Sequence, residues 1–264
     1  MAEFTAKDVQ ALRRMTGAGM LDAKRGLEEN DGDMEAAARW LREKGLADMA
    51  KRADREASEG AVGVVREDNV AAIVELTCET DFVAKAAGFV ALVDDLAALV
   101  AAKGEGAVAE RQSEVAQLAT TLKENISVGR VVRLEAGPNE VVDTYLHTQD
   151  GRGKNAVAVV LRNGTHELAH DIAVHIAFTR PTYLRRDDVP EDEVAQERAT
   201  VETISRNEGK PEAAMAKIVE GRMNGWFKER VLLEQSYVRD EKQTISALLG
   251  SAEIVSFAQV VVGS

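Results

Sequence analysis

The chain has 264 residues, of which 45% are hydrophobic and 30% are charged, so we expect it to fold around a hydrophobic interior. A chain of this length is longer than one that usually folds around a single hydrophobic core, and two or more folded units are therefore predicted. The formal net charge of −12 argues against a sequence-independent grip on nucleic acid, which needs an excess of lysine and arginine.

Three features of the sequence bear on its compartment. Its single cysteine, Cys78, precludes a disulfide within the chain and is typical of a reducing environment. Residues 1–5 lack the basic and apolar regions of a signal peptide. No apolar run reaches the roughly 18–20 residues that span a bilayer. We therefore expect a cytoplasmic protein without a membrane partner.

Residues 1–55 are predicted to form three short helices followed by a charged linker. Thr5 is a candidate N-cap for a helix whose apolar stripe holds Val9, Leu12 and Met15. Residues 16–19 contain two glycines and interrupt this helix, and residues 30–33 form a second turn signal. Three helices in so few residues indicate a compact bundle.

Residues 56–130 read as a small antiparallel sheet with packed helices. Residues 63–65 and 70–76 are apolar strands joined by a predicted hairpin turn at residues 66–69. A helix is expected from about residue 83 to residue 100. A second amphipathic helix carries Val115, Leu118 and Leu122.

Residues 131–185 repeat this design, which makes an internal duplication plausible. The strands are predicted at residues 141–147 and 157–161, with a turn at 150–154 and a helix over 166–178. Residues 228–264 return to this unit with a short helix at 244–249 and a strand at 254–262. The fold class is therefore α+β, with a core of two similar subdomains.

Residues 186–227 have the pattern of a projecting antiparallel helical hairpin inserted into the second subdomain. Two charged helices are joined by residues 207–211, where Gly209 can end the first helix and Pro211 can begin the second. Their narrow apolar seams hold, on the first helix, Val194, Val201 and Ile204, and on the second, Met215, Ile218, Val219, Met223 and Trp226. The pattern leaves open whether this coiled-coil seam packs within one chain or pairs two chains as a homodimer.

The turn between the strand at 70–76 and the following helix carries Asp81 and Phe82, and two interpretations of it remain open. Phe82 can be a wedge that projects toward a partner. Alternatively, it is the first core residue of a helical stripe that continues through Phe89, Val93 and Leu96. In the second case Thr80 or Asp81 is the N-cap.

Two other patterns raise the question of an enzyme. His166-Glu167-Leu168-Ala169-His170 has the spacing of a zinc hydrolase site, for which His175 or Glu191 is a conceivable third ligand. The alternative is a short amphipathic helix with the histidines on its flank. Cys78 could be a nucleophile beside a histidine, or could pack as a small hydrophobic residue.

Three segments resemble the bacterial elongation factor Ts family, in the right order and over nearly the whole chain. They are Leu12–Lys24, Thr77–Lys85, and Gly209-Lys210-Pro211 with Ile218–Met223. The resemblance implies a guanine-nucleotide exchange factor for the translational GTPase elongation factor Tu, not an enzyme, with no cofactor. It also implies a head that resembles a ubiquitin-associated (UBA) domain, a core of two subdomains and an inserted helical hairpin.

The resemblance also implies which residues bind the GTPase. The wedge corresponds to Thr80, Asp81, Phe82 and Val83, of which Asp81 and Phe82 enter between helices of the GTPase domain and disturb its Mg²⁺ site. The head contributes residues that contact the same domain elsewhere, namely Arg13, Met20 and Leu21. His147 of the second subdomain reaches a different domain of the GTPase. The resemblance therefore favours an exposed Phe82.

Overall fold

The computed structural model describes residues 4–264, apart from the side chains of Leu46, Met49 and Ala50. Residues 1–3, where the expectation about a signal peptide begins, lie outside this range. The head consists of α1 (Ala6–Thr16), α2 (Met20–Glu29) and α3 (Met34–Arg52). Thr5 caps α1 in a reciprocal capping box with Asp8, and Gly17 ends it with φ of 71°. The predicted three helices are confirmed, while their likeness to a UBA domain stays a prediction.

The interior of the head is formed by Val9 and Leu12 of α1 packed against Leu27 and Leu41. Met15, which we placed on the same stripe, is instead 56% exposed. This side chain lines an open groove between the head and residues 113–120 of the first subdomain, not the interior of the bundle.

The first subdomain contains a three-stranded antiparallel sheet in the order β1-β2-β3. Its elements are β1 (Glu59–Glu67), β2 (Val70–Cys78), α4 (Asp81–Ala84), α5 (Ala87–Lys103), α6 (Gln112–Leu122) and β3 (Ser127–Glu135). The β1–β2 turn is limited to Asp68 and Asn69, so Arg66 and Glu67 belong to the strand and not to the turn as predicted. The predicted boundary after residue 130 falls inside β3, which pairs with β2.

The second subdomain has the same order of elements: a hairpin, helices and then a third strand beside the second. These elements are β4 (Glu140–Gln149), β5 (Arg152–Arg162), α7 (His166–Thr179), α10 (Ile245–Leu249) and β8 (Glu253–Val261), with the strands in the order β4-β5-β8. The short strands β6 (Ser236–Tyr237) and β7 (Asp240–Thr244) form a separate ribbon. The prediction of two similar subdomains is confirmed.

The two sheets pack face to face through Val62 and Ile73 of the first and Val142 and Val160 of the second. Helices α5 and α6 cover the outer face of the first sheet, and α7 and α10 cover that of the second. Strand β2 therefore has both faces buried, which explains its nearly continuous apolar sequence.

The inserted hairpin consists of α8 (Glu191–Asn207) and α9 (Met215–Arg230), so the second helix extends three residues beyond the predicted end at 227. Its seam packs within the chain, through Val201, Met215, Val219, Met223 and Trp226. Ile204, which we placed on this seam, is 45% exposed. Ser205 takes the buried position and donates its hydroxyl to the Val201 carbonyl at 2.7 Å. Pairing between two chains stays a prediction.

Within residues 4–264, no helix has both the length and the apolar character needed to cross a membrane.

The stability of the second subdomain is expected to depend on pH through His175, which is fully buried. Its Nε2 lies 2.9 Å from Gln235 Oε1, and its Nδ1 accepts the Val238 N–H at 3.4 Å. Burial lowers the pKa of this imidazole below the usual 6.5. Because the unfolded chain then binds a proton more readily, the free energy of unfolding should fall as pH drops below 6.5, by up to about 1.4 kcal/mol per pH unit.

Urea denaturation at pH 7.5 and pH 5.5 tests this expectation. The free energy of unfolding should differ less between these two pH values in His175→Gln than in the native chain. The difference should persist in His166→Gln, which changes an exposed histidine of the same helix. Parallel pH dependence in the native chain and in His175→Gln would contradict the assignment.

Candidate functional site

The turn at Thr80–Lys85 presents Phe82 to solvent, with 83% of the residue exposed. The helix that we predicted over residues 83–100 is in fact two helices, because Ala86 has an extended backbone between α4 and α5. This break removes Phe82 from the stripe of Phe89, which is fully buried. The interpretation of Phe82 as a core residue is therefore wrong.

Hydrogen bonds from the first subdomain hold the start of this turn. The carboxylate of Glu124, just after α6, accepts the N–H groups of Glu79 and Thr80 at 3.0 Å each. It also accepts the Thr80 hydroxyl at 2.5 Å. Thr80 in turn caps α4 through the Val83 N–H. Val83 is itself buried, so among the predicted wedge residues it anchors the turn from beneath.

Asp81 stands beside Phe82 and forms an ion pair with Lys85, whose Nζ lies 2.7 Å from Asp81 Oδ2. This hydrogen bond lowers the pKa of the Asp81 carboxyl. Asp150, in the turn between β4 and β5, lies 3.6 Å from the same ammonium group. The carboxylate beside Phe82 is therefore ionised at neutral pH and paired with Lys85.

A buried arginine of the second subdomain lies beneath the same turn. Arg152 is 4% exposed, and its Nη1 donates to the Asp81 carbonyl at 3.3 Å. Its Nη2 donates to Glu59 Oε2 at 2.8 Å. The turn at Thr80–Lys85, which we call the wedge turn after its predicted role, is thus held from both subdomains.

The head exposes all three of its predicted contact residues. Arg13, Met20 and Leu21 are all exposed, and Leu21 reaches 82%. The adjacent Asp22 bridges Lys44 of the head at 2.9 Å and Lys123 of the core at 3.2 Å. Since Lys123 precedes Glu124, the head is tied to the segment that holds the wedge turn.

His147 is exposed on β4, where it pairs with Asn155 of β5. It lines a groove with Tyr145, Lys154 and Phe178. Phe178 is 79% exposed, which makes this groove the second exposed aromatic surface of the core. His147 lies on the same β4–β5 hairpin as Arg152.

The two histidines of the zinc-like spacing both face Asp143. His166 Nδ1 lies 3.3 Å and His170 Nδ1 lies 3.4 Å from its carboxylate. His175, the conceivable third ligand, is buried against Gln235 and not beside them. In the described part of the chain, no cluster of three or more histidine, cysteine, aspartate or glutamate side chains could hold a metal ion. The zinc hydrolase alternative therefore has no support.

Cys78 is fully buried, and its thiol donates to the Thr80 carbonyl at 3.2 Å. Burial, followed by the nearby charge of Glu124, raises the pKa of this thiol to about 12. Because the thiolate is the reactive form, Cys78 is an inert packing residue and not a nucleophile.

Sequence reasoning missed the side chains that hold the turn at Thr80–Lys85, namely Glu124 and Arg152, and also Glu59, which binds Arg152. Glu124 lies 44 residues from Thr80, and Arg152 lies 71 residues from Asp81. Neither belongs to a local pattern around the turn, so no signal in the sequence alone connected them to it.

Comparison with known proteins agrees with this architecture. The family model described as Elongation factor TS matches residues 79–264. The curated relatives named Elongation factor Ts include those of Clavibacter michiganensis, 46% identical over the full length of both chains, and Kineococcus radiotolerans, 45% identical over the same extent. That of Mycobacterium bovis is 44% identical over 97% of this chain and 96% of its own. The chain therefore belongs to the elongation factor Ts family of translational nucleotide-exchange factors, which perform no covalent chemistry of their own.

Proposed function

We propose that this chain releases GDP from elongation factor Tu by inserting Asp81 and Phe82 into the GTPase as a wedge. The observation that carries the proposal is the 83% exposure of Phe82 on a turn whose backbone is fixed from both subdomains. A large aromatic side chain exposed on a rigid support loses apolar hydration when a partner covers it, and such residues dominate binding energies at interfaces.

The proposed mechanism requires no contact with the nucleotide. GDP in a GTPase is held by phosphate contacts and by Mg²⁺ that bridges its oxygens. A factor that binds best to a conformation in which this cradle is distorted shifts the population toward it and so speeds release. Phe82 would separate two elements of the GTPase, while the ionised Asp81 would add a negative charge beside the metal site.

Two further surfaces would hold the wedge in place. The head, through Arg13, Met20 and Leu21, would contact the GTPase domain away from the wedge, and His147 would reach another domain. This arrangement uses a division into residues 1–55, 56–135, 136–185 with 228–264, and 186–227, in which all of β3 belongs to the first subdomain. We further propose that the protein acts in the cytoplasm and binds the GTPase directly, without a nucleic-acid contact of its own.

Stopped-flow release of a fluorescent GDP analogue from the cognate elongation factor Tu tests the proposal. The chain should accelerate release in a saturable manner, and the nucleotide-free GTPase should copurify with it. Release that proceeds at the same rate with and without the chain would overturn the proposed function.

The double variant Met20→Ala with Leu21→Ala is expected to weaken binding to the GTPase without abolishing the acceleration of GDP release. Removing two exposed apolar side chains should raise the half-saturating concentration about 5- to 30-fold, which corresponds to about 1–2 kcal/mol in total. The plateau rate should stay close to that of the native chain, because the wedge is unchanged.

Titrations of the release rate against factor concentration separate these two quantities. Leu21→Met is the matched control, since it keeps an apolar side chain of similar volume. A reduced plateau with an unchanged half-saturating concentration would contradict the bracing role of the head.

A further inference from the structure

The exposed position of Phe82 depends on a helix that is too short to be stable by itself. α4 has only four residues, and one helical turn is unstable without tertiary contacts. In one of its backbone hydrogen bonds, the Lys85 N–H donates to the Asp81 carbonyl at 3.1 Å. The direction in which Phe82 points is therefore set by the groups that grip the turn from outside.

Arg152 is the group that grips Asp81 from the second subdomain. The Asp81 carbonyl accepts its Nη1 in addition to the Lys85 N–H. The same guanidinium is tied to Glu59 at the start of β1, which also accepts Lys154 at 3.1 Å. One planar side chain thus joins the wedge turn to strands of both sheets.

Stability alone is a poor explanation for this arginine. Its Nε is buried, and within the described part of the chain it has no hydrogen-bond partner. A buried donor without an acceptor costs free energy, and well-packed apolar residues often replace buried ion pairs without loss. What an apolar side chain cannot supply is a donor aimed at the Asp81 carbonyl.

The hairpin that carries Arg152 also carries the predicted contact residue His147. Between them lies Asp150, whose carboxylate is 3.6 Å from the Lys85 ammonium group. The short turn between β4 and β5 therefore connects the surface around His147 to the residues that hold the wedge turn.

We infer that Arg152 is a positioning residue for the wedge, holding the Asp81 carbonyl so that Phe82 faces outward in the orientation that enters the GTPase. This inference rests on the proposed function of Phe82. It assigns to the second subdomain a direct part in aiming a wedge that belongs to the first.

The test compares Arg152→Met with Arg162→Met. Arg162 lies at the other end of β5 and binds Glu140 and Glu253, away from the wedge turn. In Arg152→Met, Glu59 keeps Lys154 as a partner, so the variant does not leave it without a cation. Amide hydrogen exchange at Ala84 and Lys85 reports the turn, and assisted GDP release reports the function.

Arg152→Met should speed exchange of the Lys85 amide about tenfold, in line with the loss of a charged hydrogen bond, and lower the plateau of GDP release by a similar factor. The half-saturating concentration should change little, because the head and the His147 surface remain. Arg152→Lys, which keeps the charge but not the planar guanidinium group, should give values between those of Arg152→Met and the native chain. Arg162→Met should match the native chain in both measurements.

Unchanged exchange at Lys85 in Arg152→Met would overturn the inference, as would a loss of protection spread evenly over α5 and β5. If the native chain itself does not accelerate GDP release, the proposed function fails, whereas the exchange measurement still decides whether Arg152 holds the turn.

Discussion

Phe82→Ala is expected to slow assisted release of GDP from elongation factor Tu by about 30-fold or more, while the fold remains intact. The rate effect follows from the loss of a central aromatic contact, which typically costs about 2 kcal/mol or more. The fold should tolerate the change because 83% of this residue is exposed and its neighbours Val83 and Ala84 anchor the turn.

Stopped-flow release of a fluorescent GDP analogue and thermal unfolding together test this expectation. Ile204→Ala is a suitable control, since it removes an exposed apolar side chain from the hairpin and should leave the rate unchanged. Phe82→Leu should retain part of the activity. A Phe82→Ala variant as active as the native chain would refute the wedge assignment.

Gly153→Ala is expected to destabilise the protein by about 2–4 kcal/mol, because the two subdomains meet at this glycine. A Cβ added there would overlap the Val62 carbonyl oxygen of β1 and lie 2.8 Å from Leu146 Cδ1. The obstacle includes backbone, which cannot rotate away as a side chain can. The sheets must therefore separate locally, and the adjacent Arg152 would lose its alignment with Asp81.

Urea denaturation measures this loss, with Gly225→Ala as the matched control. Gly225 lies within α9, and nothing stands within 4 Å of a Cβ added there. Because alanine is the better helix former, the control should be more stable by about 0.5–1 kcal/mol. Equal stability of Gly153→Ala and the native chain would show that the β4–β5 hairpin can withdraw from β1 without cost.

Both predictions concern one structural relation, in which a small exposed element is held by contacts from two subdomains. The wedge turn is short and lies on the surface, but Glu124 binds its start and Arg152 binds Asp81. A rigid wedge loses little conformational entropy when it enters a partner, so more of its contact energy is available to distort that partner. The rigidity of the turn is thus part of how the proposed factor would act.

Local sequence patterns predicted most of the architecture. Capping by Thr5, the glycine that ends α1, and the apolar spacing of the helices determined the three-helix head. Apolar runs and turn residues predicted both hairpins of the core, and the narrow stripe after Pro190 predicted the inserted helices. These signals act over a few residues, because caps, turns and amphipathic faces depend on near neighbours.

The errors and omissions share one physical cause. β3 was divided between subdomains because its partner strand lies some 50 residues earlier in the chain, and Ile204 was placed on a seam that Ser205 occupies. Local patterns in the sequence do not say which strand or helix a segment packs against. Those packing partners decided to which subdomain β3 belongs and which side chain is buried in the seam.

The sequence by itself determined the class of fold, the order of its units and, through the Thr77–Lys85 segment, where a wedge would lie. Only the tertiary structure decided that Phe82 is exposed, because the extended backbone at Ala86 separates α4 from the stripe that buries Phe89. It alone also brought Glu124 and Arg152 to the turn. Both contacts join residues far apart in the chain: the Glu124 contact exists only once the first subdomain has folded, and the Arg152 contact only once the two subdomains have packed together.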